Sequence, residues 1–153
     1  MYLYVNNRAS SEVFPNNSPI NFITEFSQTI DTRDSCIGLC EIAMDLSRGA
    51  FDPRDLPRTG FYVMVSECDE SYVGGHTHPV VRMFSSNEFF VRLRAVLRFP
   101  DVIYVPLKEF NLSRLSVKIV KASDCCTDNS AESINAKGLT YCTFHIKKQD
   151  FTV

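Results

Sequence analysis

The sequence predicts an all-β protein, an antiparallel sandwich or barrel, and three observations carry that reading. Apolar and polar residues alternate with period two in short runs along most of the chain. The runs are rich in Val, Ile, Phe, Tyr and Thr, which suit a pleated, half-buried surface. Clusters of Asn, Pro, Gly, Ser and Asp separate them, which is the punctuation of turns rather than of helices.

The elements follow in chain order. Residues 2–5 alternate from the start, with Tyr2 and Tyr4 opposite Leu3 and Val5. Residues 20–26 place Ile20, Phe22, Thr24 and Phe26 on one face. The alternation runs out at Thr29-Ile30, and a polar turn from Asp31 to Ser35 leads into residues 36–44. Strict alternation there puts Ile37, Leu39 and Ala43 on one side, and Cys36, Gly38, Cys40, Ile42 and Met44 on the other. Residues 61–65 are β-branched and aromatic, and residues 79–84 form a short run interrupted by Arg82. Residues 102–107 are an apolar run with one proline, suited to an edge. Leu115, Val117 and Ile119 alternate with Ser116 and Lys118, and Cys142, Phe144 and Ile146 alternate with Thr143 and His145. The expected core therefore includes Leu39, Val63, Leu115, Val117, Ile119, Phe144 and Ile146.

Residues 85–99 admit two readings. Ser85 and Glu88 have capping-box spacing, with Phe89, Phe90, Leu93, Val96 and Leu97 as a helical stripe. Val91, Leu93, Ala95, Leu97 and Phe99 also alternate with Arg92, Arg94 and Arg98, and the alternation favours a strand. Polar loops are expected at 46–60, 66–78 and 122–138.

Composition excludes several classes. A chain of 153 residues with 44% hydrophobic and 22% charged residues has enough apolar material for one folded domain. Sixteen basic and 18 acidic residues give a net charge of -2, so no specific nucleic-acid partner is expected. The apolar runs are too short to span a membrane. The opening MYLYVNNRAS has neither the basic nor the long apolar part of a secretory signal. The six cysteines, at 36, 40, 68, 125, 126 and 142, are therefore expected as free thiols. On one strand, Cys36 and Cys40 would stand roughly 13 Å apart, beyond disulfide reach.

Chemistry is sparse. There is no glycine-rich phosphate loop and no nucleophile elbow. His76 and His78, near Cys68 and Asp69, have a metal-ligand spacing but lack a firm third ligand. Cys142 and His145 would lie on opposite faces of one strand, which prevents the hydrogen bond of a nucleophile and its base. Arg92, Arg94 and Arg98 read as a solvated strand face. No enzyme, cofactor or metal is expected.

Four stretches in order carry a resemblance. Phe14, Pro15 and Asn17 form a turn that leads into an amphipathic strand. The next strand ends in Gly38, Leu39, Glu41 and Ile42. PVVRMF at 79–84 and VIYVPLKEFNLSRLSVKIVKAS at 102–123 follow, and GLTYCTFHIKK at 138–148 closes the series. Together they resemble the penton-like minor capsid proteins of polintons and adintoviruses. The chain departs from that pattern where Cys36-Ile37 replaces a tryptophan common in the family, and its loops at 46–60 and 122–138 match poorly.

The resemblance implies a single jelly roll of about eight strands over residues 1–153. It implies a structural protein of a DNA virus, placed at the vertices of an icosahedral shell. Such a protein assembles into a homo-oligomeric ring, a pentamer, and its partners are its own copies and the major capsid protein. The expected location is the virion, and the host nucleus or cytoplasm during assembly. Candidate subunit-interface residues are Arg48, Asp52, Arg54, Asp55 and Arg58, which supply charges of both signs on an end loop, and Tyr2 and Tyr4, on a strand suited to a sheet edge. Two other classes remain open. A β-sandwich that binds carbohydrate or peptide would want an exposed aromatic platform, and a cupin-like metalloprotein would want a third ligand beside His76 and His78.

Overall fold

The computed structural model describes residues 1–45, 60–85, 94–122 and 138–149. These fold into antiparallel β-sheets packed face to face. In chain order the strands are β1 (Tyr2–Asn6), β2 (Asn21–Asp31), β3 (Ser35–Asp45), β4 (Gly60–Val65), β5 (Ser71–Val73), β6 (His76–His78), β7 (Val80–Ser85), β8 (Arg94–Arg98), β9 (Tyr104–Pro106), β10 (Asn111–Lys121) and β11 (Tyr141–Lys148). The first sheet runs β1-β11-β3-β8, with β9 also paired to β3. The second runs β2-β10-β4-β7, and β5 and β6 form a separate hairpin.

The pairings are nested. Among the eight long strands, the first pairs with the last (β1 with β11) and the second with the last but one (β2 with β10). The third pairs with the last but two (β3 with β8) and the fourth with the last but three (β4 with β7). The order resembles a jelly roll, with one long antiparallel ribbon distributed over two sheets.

Period-two burial makes the sandwich. Leu3, Val5, Ile37, Leu39, Ile42, Cys142, Phe144 and Ile146 of the first sheet meet Phe22, Val63, Val65, Leu112, Leu115, Val117 and Ile119 of the second in one core. All seven expected core residues belong to it. Of the ambiguous stretch 85–99, Ser85 closes β7 and Arg94–Arg98 form β8. Phe99 is buried behind that strand, while Val96 and Arg98 face outward. Residues 86–93 lie outside the described residues.

Two expectations need correction. β3 does not keep one phase. Leu39 pairs with Phe144 and Glu41 with Thr143, so Cys40 is an extra residue in the ladder. The bulge shifts the inward set by one, and Ile42 and Met44 join Ile37 and Leu39 in the core cluster, while Ala43 is buried outside that cluster. Strict alternation could not anticipate this, because a bulge is fixed by the partner strand. Second, the polar stretch 66–78 is not all loop. Its hairpin closes through Gly74 and Gly75, whose φ values of 57° and 89° favour glycine in a tight turn. Val73 of that hairpin packs with Met64, Val120, Tyr62 and Val80 on the outer surface of the second sheet.

Gly38 allows a close crossing. A Cβ at this position would stand 2.8 Å from the Ile103 carbonyl oxygen and would strike the Val102 side chain. The absence of a side chain lets residues 102–104 pass over β3.

Two stability predictions follow from the packing. Phe144→Ala removes a fully buried ring from the centre of the core and should cost about 3–5 kcal/mol in urea unfolding. Gly38→Ala forces a methyl group against the Ile103 carbonyl and the Val102 side chain and should cost about 1–3 kcal/mol. A loss below about 1 kcal/mol for Phe144→Ala would mean that the inward face is assigned wrongly.

Candidate functional site

The first sheet turns a row of aromatic side chains outward, because their neighbours on the same strands face the core. On β1, Leu3 and Val5 are buried, whereas Tyr2 is 57% exposed and Tyr4 75% exposed. The strand register then fixes what stands beside them. Tyr2, His145, Gly38 and Tyr104 form one row across β1, β11, β3 and β9. Tyr4, Thr143, Glu41 and Arg98 form the next, across β1, β11, β3 and β8.

The side chains in these rows touch. The Tyr2 and His145 rings are 4.6 Å apart between centroids. The Tyr104 ring meets His145 edge-on at 5.9 Å, and the Tyr104 hydroxyl lies 2.8 Å from His145 Nδ1, within hydrogen-bond distance. Lys147 Nζ stands 3.9 Å from the centroid of the Tyr104 ring, a cation–π contact. The crossing over Gly38 is what brings Tyr104 to this position. In the next row, Arg98 Nε donates to Glu41 Oε2 at 3.2 Å, and the Tyr141 hydroxyl donates to Glu41 Oε1 at 3.4 Å.

The two sandwich edges at this side are treated differently. β2 is the edge of the second sheet, and the preceding loop covers it with side chains. Asn17 Nδ2 donates to the Ile23 carbonyl at 2.9 Å, and Asn17 Oδ1 accepts from the Ile23 N–H at 2.9 Å. One carboxamide thus replaces a residue of a neighbouring strand. Ser10 Oγ accepts from the Glu25 N–H at 3.0 Å. β1 is the edge of the first sheet. Its odd residues face β11, as the Asn7 N–H to Thr140 carbonyl bond and the Ile146 N–H to Met1 carbonyl bond show. In an antiparallel ladder the backbone groups of Tyr2 and Tyr4 therefore point away from β11.

Of the residues the sequence singles out for assembly, Tyr2 and Tyr4 lie on this exposed edge. Arg48, Asp52, Arg54, Asp55 and Arg58 lie outside the described residues. His76 and His78 sit on β6, the first exposed and the second half-buried, and among the described residues no group of three His, Cys, Asp or Glu side chains could hold a metal ion. Cys142 is in the core and His145 on the outer surface of the same strand. Cys36, Cys40, Cys68 and Cys142 are free thiols, and burial raises the pKa of each. His145 is marked by the sequence as an outward position of its strand and as a poor partner for Cys142, and nothing there marks a cluster. Its contacts with Tyr2 and Tyr104 depend on strand register, which no local pattern announces. In the sequence Asn17 reads as part of a turn, and its bonds to Ile23 appear only in the fold.

The chain matches no protein-family model. It matches no curated protein at a significant level.

His145 gives this surface a pH dependence. Burial, the Met1 ammonium and Lys147 together hold its pKa below the usual histidine value. Protonation is thus harder in the folded chain than in the unfolded one. The resulting stability is complete above about pH 6.5, the unfolded value, and is lost as pH falls below it. An NMR titration should place the His145 midpoint below that of an exposed histidine, and Lys147→Gln should move it part of the way back. A midpoint at or above the ordinary value would show that the contacts do not disfavour the charged ring.

Proposed function

We propose that the chain is a single jelly roll and acts as a structural, penton-like vertex protein in the capsid of a DNA virus, assembling through its own copies into a ring of five. The observation that carries this reading is the nested strand order, first with last and so inward, over sheets β1-β11-β3-β8 and β2-β10-β4-β7. Among the described residues there are eight long strands, four to each sheet beside the short β9, and eight strands in two sheets is the plan of double-sheet jelly rolls. The collinear sequence motifs supply the second support and are the source of the number five. Two of them have physical roles in this fold. Gly38 admits the crossing of residues 102–104, and Asn17 covers the β2 edge.

Shape supports assembly into a ring. The sandwich has two lateral sides that differ: the β1 and β2 edges on one, and β7 and β8 at the ends of the same two sheets on the other. Identical subunits that join one side to the other make a heterologous contact, which closes when the rotation allows. Each contact should bury on the order of 1,000 Å² to hold alone. In this reading the protein resides in the virion, next to the major capsid protein, and in the host nucleus or cytoplasm during assembly.

The test is a reconstruction of purified particles by electron microscopy, together with native mass spectrometry of the protein at high concentration. Five copies around each vertex are expected. A chain that is absent from particles and remains a monomer at every concentration would overturn the proposal.

A further inference from the structure

We infer that the free edge of β1 is a strand-addition site for an extended, acidic segment of another protein. The two neighbouring edges are treated unequally. An open row of backbone N–H and C=O groups invites pairing with other chains, and folded proteins ordinarily blunt such rows. This chain blunts β2 with Asn17 and Ser10. On β1, the Asn6 carbonyl accepts from Thr24 Oγ1 at 3.2 Å, which closes that end of the strand. The outward N–H and C=O groups of Tyr2 and Tyr4 lie beyond that closure, on the edge strand of the sheet.

An added strand would find a complete recognition surface there. Its backbone would pair with Tyr2 and Tyr4, and alternate side chains would lie beside the two exposed phenol rings. The charges choose the partner. The Met1 ammonium, which donates to the Ile146 carbonyl at 3.0 Å, stands at the free end of β1. His145 feels both this ammonium and Lys147 as neighbouring positive charges. At the same end of β11, Lys147 Nζ lies over the Tyr104 ring and Lys148 Nζ donates to the Arg33 carbonyl at 2.6 Å, and both side chains remain exposed. Glu41, the acidic side chain of the second outward row, is held by Arg98 and Tyr141. Asp31, which also feels Lys148, is paired with Arg33 at 3.0 Å. The end of the edge is therefore electropositive, and carboxylates on the incoming segment complement it. Within a shell, a neighbouring capsid protein is the source of such a segment. That assignment rests on the capsid reading, whereas the edge and its charge do not.

The experiment uses the whole chain with an unmodified N-terminus. A fluorescein-labelled peptide of alternating threonine and glutamate is the probe, and its threonine–lysine counterpart is the control. Fluorescence anisotropy should show the acidic peptide binding at least about tenfold more tightly than the basic one, with affinity falling as salt rises. Amide exchange at Tyr2 and Tyr4 should slow by about tenfold or more when the acidic peptide is bound. Tyr4→Pro deletes one outward donor but leaves the pairing of Leu3 and Val5 with β11, so it should abolish most of the binding. Lys147→Glu should weaken the acidic peptide by about fivefold or more without touching the edge backbone, and it serves if the proline variant does not fold. Equal affinity for the two peptides, protection outside β1, or unchanged binding in Lys147→Glu would overturn the inference. So would self-association that protects the Tyr2 and Tyr4 amides without peptide, since the occupant would then be a second copy; a ring contact that covers this side without pairing those amides would not. A negative result here leaves the capsid reading standing, and absence from particles leaves a positive peptide result standing.

Discussion

The first sheet depends on one extra residue in β3. That strand must serve three neighbours. β11 runs along nearly all of it, β9 pairs at residues 36–38, and β8 pairs at residues 41–45. The bulge at Cys40 lies at the change from β9 to β8. Without it, Ile37 and Leu39 could face the core only if Ile42 and Met44 faced water. Burying such side chains is worth about 1.5–3 kcal/mol each, so a strand in a single phase would forfeit several kcal/mol. The bulge therefore lets one strand keep its inward set continuous while it changes partners. The position of the aromatic row also follows, since Gly38 and Glu41, on either side of the bulge, both face outward in successive rows.

Much of this architecture was legible in the sequence, for a definable reason. Alternation reports burial one strand at a time, and it found Val63, Leu115, Val117, Ile119, Phe144 and Ile146 because each keeps the alternation of its own strand. It failed where information comes from a partner strand. The phase of Ile42 and Ala43 is set by β11. The β5–β6 hairpin was hidden because three-residue strands are too short to show a period. The outward surface was the least legible. Tyr2, Tyr104 and His145 are far apart in the chain, and only register brings them together.

The two edges at the β1–β2 side show how a β-sandwich manages its boundaries with few resources. Capping an edge by side chains needs a group that donates and accepts at strand spacing, and a carboxamide does both. The loop before β2 supplies such a group at Ile23 and a hydroxyl at Glu25. The turn motif Phe14-Pro15-Asn16-Asn17 thus has a structural purpose apart from any partner. The glycine of the next motif, Gly38, has one as well. Both residues would be needed in this fold whatever the protein assembles with.

The Asn17 cap also makes the protein a record of its own history. Asparagine followed by serine is chemically labile, because the next backbone nitrogen can attack the side-chain amide and release ammonia. In the folded chain both reactants are engaged. The amide is held by Ile23, and the Ser18 nitrogen donates to the Asn21 carbonyl at 2.9 Å. The reaction therefore waits for the loop to open. The aspartate that results has no donor for the Ile23 carbonyl and sets one oxygen against another. An opening that lasts long enough to react cannot fully close again. Deamidation at this one position would then measure how often the edge of the second sheet has been bare.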